Sequence, residues 1–179
     1  MRHLSLMLKP SSGMCNMRCK YCFYADETQK RSVPSYGFMS LETLEQVMKK
    51  ALEAADGSCT ICFQGGEPTL AGLDFFRHAV ELGARWSVHG CAVSYALQTN
   101  GLLIDEEWCR FLAQHHFLVG VSLDGTKDLH DANRVDAQGK GTFTRVFRAI
   151  QLLRQHGVGT NVLTVLTGNL CRSFRKVYQ

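Results

Sequence analysis

The sequence has few prolines, no long apolar run and little net charge, and each shortage excludes a class of protein. Three prolines stand beside 16 glycines, which excludes collagen-like chains and chains made mostly of linker. No segment reaches the roughly 18 apolar residues of a membrane span. The net charge of +4 comes from 20 basic and 16 acidic residues and does not point to nucleic acid. We therefore expect neither a membrane nor a nucleic acid as partner.

Length and composition indicate one folded domain. Of the 179 residues, 45% are hydrophobic and 20% are charged, which excludes an intrinsically disordered protein. A chain this long buries roughly 70% of its unfolded surface and needs no disulfides to hold a core. Residues 1–10 contain too short an apolar stretch for a signal-peptide core, and we predict a cytoplasmic location.

Cysteine is abundant, with eight residues. In a reducing compartment, clustered cysteines favour metal binding or catalysis over disulfides. Cys15, Cys19 and Cys22 form a C-x3-C-x2-C pattern in one predicted loop, where three thiolates can surround one metal centre. Cys59 and Cys62 lie on a predicted strand, where residues three apart point to opposite faces, so we expect them to pack rather than to bind metal.

Strand and helix patterns alternate along the chain. Predicted strands cover residues 3–8, 59–64, 91–98, 117–123 and 158–166. Predicted helices cover residues 41–55, 73–85, 106–115 and 143–156, and a partial helix begins at residue 169. Ser40, Asp105 and Thr142 are predicted N-caps, and residues 127–141 are predicted to form a polar loop. The alternation predicts an α/β fold of βα units with a parallel sheet of about five strands.

The chemically unusual residues follow the carboxyl ends of the predicted strands. The cysteine loop follows the first strand, residues 64–68 the second, residues 98–101 the third and residues 122–125 the fourth. Ligands bind at this edge of a sheet in parallel βα architectures. The sequence therefore predicts one site that is shared by four loops.

Three cysteines leave a metal centre one ligand short. A structural zinc site and an ordinary iron–sulfur cluster each take four protein ligands. One interpretation is a zinc site that a distant residue such as His3 completes. The other is a cluster in which one metal keeps an open coordination position, as a reactive centre requires.

The cysteine pattern, with Tyr21 directly before Cys22, and the stretch Gly65-Gly66-Glu67-Pro68 together resemble the radical S-adenosylmethionine (SAM) superfamily. Longer segments at residues 9–15, 22–24, 63–72, 97–101 and 122–125 are similar to anaerobic sulfatase-maturating enzymes. The likeness runs over about residues 4–165. It implies a partial (βα)6 radical-SAM barrel, which is an incomplete TIM-like barrel.

The resemblance also implies an activity. Members of this family hold a [4Fe–4S] cluster and SAM, cleave SAM to a 5′-deoxyadenosyl radical and abstract a hydrogen atom with it. The expected reaction is the oxidation of a Ser or Cys in a sulfatase polypeptide to Cα-formylglycine. The protein would be an oxidoreductase of anaerobic metabolism, with a flavodoxin- or ferredoxin-like protein as reductant.

Roles for individual residues follow from the same resemblance. Cys15, Cys19 and Cys22 would ligate the cluster, and the open iron would be chelated by SAM. Tyr21 would lie against the SAM adenine through its backbone or ring. None of these positions is a catalytic acid or base, and the resemblance assigns no catalytic residue within the chain.

The other implied SAM contacts lie in the later loops. Gln64, Gly66 and Glu67 would line the methionine end of SAM, where bare glycine lets the backbone approach closely. Ser122 would hydrogen-bond the ribose or carboxylate region. Arg134 would pair with the SAM carboxylate, because a guanidinium is always charged and binds carboxylates in a bidentate manner.

Several of these residues also have plain structural interpretations. Gly65-Gly66 can be a tight turn, and Glu67 a partner of a helix dipole. Residues 98–101 can be a simple turn around Asn-Gly. Arg134 can be a solvated surface residue, and Asp124 can shape the turn before Gly125.

The resemblance implies further parts that the sequence lacks. The family barrel has six βα units, and its maturase members continue into a cysteine-rich domain with two auxiliary clusters and an Asp base. We therefore expect residues 1–179 to be a radical-SAM core domain truncated before barrel completion, without the auxiliary-cluster domain. The alternatives are another peptide-modifying radical SAM enzyme and an incomplete fragment that acts only as a cluster-binding domain.

Overall fold

A computed structural model describes residues 2–87 and 90–178 of the chain. Its five strands are β1 (Arg2–Leu8), β2 (Gly57–Phe63), β3 (Ala92–Thr99), β4 (Leu118–Ser122) and β5 (Gly159–Leu163). The described helices are α1 (Phe23–Lys30), α2 (Leu41–Ala54), α3 (Leu73–Trp86), α4 (Glu106–Gln114), α5 (Lys127–Asp131), α6 (Phe143–Gln155), α7 (Gly168–Arg172) and α8 (Phe174–Tyr178). None of these helices is long and apolar enough to cross a bilayer.

The five strands form one parallel sheet, as the alternation predicts. Their order is β1-β2-β3-β4-β5, so each strand pairs with the next one in sequence, and the sheet is not closed. The register sets Leu8 opposite Phe63 and Thr99 opposite Val121. Because all strands run in the same direction, their carboxyl ends meet at one edge, where the predicted site residues follow.

The core lies between one face of the sheet and the helices. On β2, the buried side chains alternate at Cys59, Ile61 and Phe63, which is the period of a half-buried strand. Phe63 packs against Phe76 of α3 with ring centroids 4.8 Å apart. The buried face of α2 consists of Leu44, Met48, Ala51 and Leu52. Burial of each large side chain contributes about 1.5–3 kcal/mol.

All three predicted N-cap residues directly precede their helices. The Ser40 side chain accepts a hydrogen bond from the Thr43 N–H, and Asp105 accepts one from Trp108. Thr142 is the N-cap residue of α6 as predicted, but its side chain does not cap the helix, because its hydroxyl donates to the Arg134 carbonyl at 2.9 Å. Asp131 replaces it by accepting a hydrogen bond from Phe143 N–H at 2.8 Å.

Other predictions of local structure are also corrected. The predicted polar loop at residues 127–141 contains the single-turn helix α5, which is too short to show helical periodicity. The predicted helix from residue 169 is divided into α7 and α8, because Ser173 leaves the helical region with φ −104° and ψ 13°. Cys59 is buried as expected, whereas Cys62 on the opposite face of β2 is only partly buried.

Candidate functional site

The loops at the carboxyl edge of the sheet enclose a cleft of about 430 Å³, which we call the strand-end cleft. Its volume is in the range of small-molecule sites. All nine residues implicated by the resemblance line it: Cys15, Cys19, Tyr21, Cys22, Gln64, Gly66, Glu67, Ser122 and Arg134. A groove of similar volume beside α1 contains none of them. The structure thus gathers the predicted residues in one place, while their individual roles stay predictions.

The cysteine loop is held in shape by its main chain. Arg18 N–H donates to the Val135 carbonyl at 2.8 Å, and Lys20 N–H donates to the Asn133 carbonyl at 2.9 Å. Met17 forms an isolated antiparallel bridge with Asp136 and is buried. The loop is therefore fastened to the segment after β4, which also carries Arg134.

The zinc interpretation with His3 as the fourth ligand is wrong. His3 lies near the amino end of β1, where its ring nitrogens contact Ser58 Oγ at 2.9 Å and Ser5 Oγ at 3.0 Å. Leu8, at the other end of the strand, is five positions further along, a distance of about 16 Å. Within residues 2–87 and 90–178, no group of three or more His, Cys, Asp or Glu side chains is arranged to hold a single metal ion. The three cysteines line the strand-end cleft.

Burial affects the ionisation of two of the loop cysteines, Cys15 and Cys19. Burial raises the pKa of Cys15, although the Met17 N–H and the Asn100 amide oppose this by donating to its sulfur. Burial also raises the pKa of Cys19 to about 11, against the attraction of Arg134. A bound metal cation reverses this preference, because a coordinating thiol is deprotonated. Cys15 and Cys19 are therefore neutral thiols unless a cation binds beside them.

The glycine loop packs directly on the cysteine loop. Gly66 has φ +58°, and a Cβ at this position would clash with the Met14 carbonyl oxygen and lie 3.1 Å from that of Ser12. The Glu67 N–H donates to the same Met14 carbonyl at 2.8 Å. Glycine is therefore required at residue 66 for the two loops to meet.

Glu67 joins the glycine loop to the end of β3. Its carboxylate is buried, and it accepts hydrogen bonds from Thr69 N–H at 3.1 Å and from the hydroxyls of Thr69 and Thr99 at 2.7 Å each. The Asn100 N–H donates to its other oxygen at 2.7 Å. Burial raises the pKa of Glu67, and these four donors oppose the rise. The side chain thus fixes two loops of the cleft and also caps the short 3-10 turn at Pro68–Ala71.

Arg134 and Asp124 form a buried ion pair in the wall of the cleft. Arg134 Nε lies 2.9 Å from Asp124 Oδ2 and Nη2 lies 3.3 Å from Oδ1, with side-chain exposures of 8% and 2%. The interpretation of Arg134 as a solvated surface residue is therefore wrong. Tyr21 donates its hydroxyl to the same carboxylate, and the Arg134 guanidinium lies 5.3 Å from the centre of its ring. Burial and this hydrogen bond raise the pKa of Tyr21.

His130 is hydrogen-bonded to the backbone of Asp124 and, through Thr142, to the backbone of Arg134. Its Nδ1 accepts from the Asp124 N–H at 3.2 Å, and its Nε2 contacts Thr142 Oγ1 at 2.9 Å. Because the Thr142 hydroxyl already donates to the Arg134 carbonyl, Nε2 carries the proton and the ring is neutral. Burial lowers the pKa of His130 and favours the same neutral form.

The remaining two predicted residues lie at the carboxyl ends of strands. Ser122 ends β4, and its hydroxyl accepts from Gln98 Nε2 at 3.2 Å. Gln64 follows β2 and extends the pairing of the sheet, because its N–H donates to the Leu8 carbonyl at 2.9 Å. Both line the strand-end cleft next to the segment at 163–165.

Sequence reasoning missed two residues that organise the cleft. Asp124 and Asn100 were each assigned a possible turn role, yet both are buried and both bond to residues on other loops. For Asp124, the sequence offers one indication of an ion pair, namely an acidic residue at the end of a predicted strand and ten positions before Arg134. The signal for Asn100 was weaker, because an Asn-Gly pair is common in turns.

The sequence of this chain was compared with known protein families and with curated relatives. The sequence profile of the radical SAM superfamily matches residues 10–178. The chain is 44% identical to a cysteine-type anaerobic sulfatase-maturating enzyme of Clostridium novyi, over all of this chain and 48% of that protein. It is 37% identical to the serine-type enzyme of Klebsiella aerogenes, over 97% of this chain and 42% of that protein. The chain thus spans about half the length of the curated relatives it matches.

A solved structure described as native anSMEcpe with bound AdoMet and Cp18Cys peptide is also similar. It superposes with a TM-score of 0.92 at 46% identity, over 99% of this chain and 47% of that one. A further structure, native anSMEcpe with bound AdoMet, has a TM-score of 0.93 at 47% identity and covers 98% of this chain and 48% of that one. These likenesses concern the five-stranded fold described above.

Proposed function

Because the chain belongs to the radical SAM superfamily, we propose that its strand-end cleft holds a [4Fe–4S] cluster and binds SAM beside it. The observation that carries this proposal is the meeting of the cysteine loop and the glycine loop in one cleft of suitable size. Cys15, Cys19 and Cys22 supply the three thiolates. An open iron position then remains for the ligand.

The protein's own residues supply binding and orientation. The Gly66 backbone can approach a ligand closely, since it has no side chain. Arg134 presents a positive charge that Asp124 orients from behind, which suits the carboxylate of SAM. Gln64 and Ser122 add neutral hydrogen-bonding groups to the lining of the cleft. When bound together, the cluster and SAM supply a 5′-deoxyadenosyl radical that abstracts a hydrogen atom.

We further propose that the reaction is the maturation of a sulfatase. The supporting observation is that relatives 44% and 37% identical to this chain are named cysteine-type and serine-type anaerobic sulfatase-maturating enzymes. The substrate would be a Ser or Cys side chain of a sulfatase polypeptide. The radical would take one hydrogen atom from it, while a base and an auxiliary iron–sulfur cluster of the kind that the family's cysteine-rich domain carries would take the remaining proton and the second electron. The product would be Cα-formylglycine, with water replacing the sulfur where the target is Cys. A flavodoxin- or ferredoxin-like protein would provide the electron, and a reducing, cytoplasmic location would keep the thiols free.

Anaerobic reconstitution with iron and sulfide tests the cofactor assignment. We expect the wild-type protein to gain the charge-transfer absorbance of a cluster with about four irons per chain. The combined Cys15→Ala, Cys19→Ala and Cys22→Ala variant should gain none, while Cys171→Ala, an exposed thiol on α7, should behave as wild type. Equal iron uptake by wild type and the triple variant would refute the assignment.

SAM cleavage and peptide oxidation are measured in a separate experiment. After reduction with dithionite, the loaded protein should convert SAM to 5′-deoxyadenosine and methionine, which chromatography and mass spectrometry detect. A synthetic sulfatase peptide that carries the target Ser should lose the mass of two hydrogen atoms as the aldehyde forms. A peptide that carries the target Cys should lose two hydrogen atoms and also exchange its sulfur for an oxygen atom from water. A loaded protein that cleaves SAM but leaves both peptides unchanged would restrict the proposal to cofactor binding.

A further inference from the structure

Asn100 connects the glycine loop to the first cysteine of the cluster loop. The residue follows β3 and is 7% exposed. Its backbone N–H donates to Glu67 at 2.7 Å, so the buried carboxylate fixes the position of the main chain. Its side-chain Nδ2 lies 3.7 Å from Cys15 Sγ and 2.7 Å from Asn16 Oδ1.

The orientation of the Asn100 amide is determined by its oxygen. The Leu102 N–H donates to Asn100 Oδ1 at 3.0 Å, which would be lost if the amide were turned over. The oxygen therefore faces Leu102, and the NH2 group faces Cys15 and Asn16. One amide hydrogen is used by each partner, and every polar group of the side chain has a defined contact.

We propose that Asn100 is a positioning residue that donates a hydrogen bond to the Cys15 sulfur and thereby raises the reduction potential of the bound cluster. This inference rests on the proposed function, because it requires a cluster on Cys15. Hydrogen bonds to ligand sulfurs withdraw negative charge and stabilise the reduced cluster, which carries one more electron. The Met17 N–H gives the same sulfur a second, backbone donor at 3.4 Å, which no side-chain substitution removes.

Glu67 connects the position of Asn100 to that of the glycine loop. The same carboxylate that holds Asn100 also holds Thr69 and Thr99, so the glycine loop and the sulfur donor form one rigid unit. The Glu-containing motif thus sets the distance between Asn100 and Cys15 without touching the sulfur itself.

The test compares two substitutions in the cluster-loaded protein. Asn100→Leu removes the donor without adding charge, and Asn100→Asp removes the donor but keeps the oxygen for the Leu102 N–H. Electron paramagnetic resonance during redox titration should show a lower midpoint potential in both variants. Asn161→Leu makes the same chemical change on exposed β5 and should leave the potential unchanged. A lower potential in the Asp variant alone would overturn the proposal, because charge would then explain the shift.

A second measurement detects the contact between Asn100 and the cluster directly. Electron–nuclear double resonance on reduced wild-type protein with 15N in its asparagine side chains should show a 15N coupling to the cluster, and any folded Asn100 variant should lose it. A loaded wild-type cluster without this coupling would refute the inference. Failure to load a cluster at all, seen as absent iron and absorbance, would instead refute the proposed function.

Discussion

At the scale of single residues, Asp124 links several segments of the site. It binds the guanidinium of Arg134, accepts the Tyr21 hydroxyl and accepts the Val165 N–H at 3.0 Å. Its own N–H donates to His130. One buried carboxylate therefore joins the cysteine loop, the segment after β4 and the segment after β5.

Neutralising Asp124 should destabilise the protein, because it leaves the charge of Arg134 buried without a counter-ion. We expect Asp124→Asn to lower the free energy of unfolding by about 3 kcal/mol, measured by denaturant titration. Asp128→Asn on the exposed side of α5 makes the same change outside the pair and should have little effect. If Arg134→Met in the Asp124→Asn background caused a full further loss, the two residues would not be coupled.

At the scale of helices, strands and loops, much of the fold could be predicted from the sequence. Each long element has a hydrophobic period and a local end signal, such as the caps at Ser40 and Asp105. The position of the Thr142 cap could be predicted, but the tertiary partners of its hydroxyl could not, because no local pattern reveals them. The single-turn helix α5 and the helix break at Ser173 could not be predicted for another reason, since neither spans a hydrophobic period.

In the site too, local motifs could be predicted from the sequence, whereas contacts between distant residues could not. The cysteine and glycine motifs are local in sequence, and the strand-end rule was enough to bring them together. The contacts of Asn100 with Cys15 and of Asp124 with Tyr21 join residues 85 and 103 positions apart. Such contacts depend on the final packing of the loops. The residue types could therefore be read from the sequence, but their contacts could not be predicted.

The packing of the glycine loop on the cysteine loop can be tested at Gly66. Gly66→Ala adds a Cβ that clashes with the Met14 carbonyl, in addition to the strain of φ +58°. Gly139→Ala has a similar φ of +78° with no atom near the added Cβ, and it therefore measures the backbone strain alone. We expect about 1 kcal/mol of destabilisation at Gly139 and a further 1–3 kcal/mol, roughly, at Gly66. Calorimetry and iron content after reconstitution are the measurements, and equal losses in both variants would show that the loops can separate without penalty.

At the scale of the whole molecule, the sheet has an edge with apolar side chains. Within the described residues, β5 pairs with β4 on one side and with no strand on the other. Val162 and Leu163 are 49% and 48% exposed, and Val165 and Leu166 beyond the strand are exposed as well. An edge strand of this kind presents unpaired backbone groups together with apolar surface, which favours pairing with another chain.

We therefore expect the 179-residue chain to self-associate through β5. Sedimentation velocity over a range of concentrations should show a monomer that converts to larger species. Val162→Lys should weaken this association about tenfold, or about 1.4 kcal/mol, because a lysine at the edge opposes pairing by charge and by its hydrated end. Leu103→Lys alters a side chain of similar exposure (39%) away from β5 and should leave the association unchanged. A wild-type chain that stays monomeric at every concentration would show that the β5 edge is protected in solution, and an equal effect of both lysines would show that net charge, rather than the strand edge, controls the association.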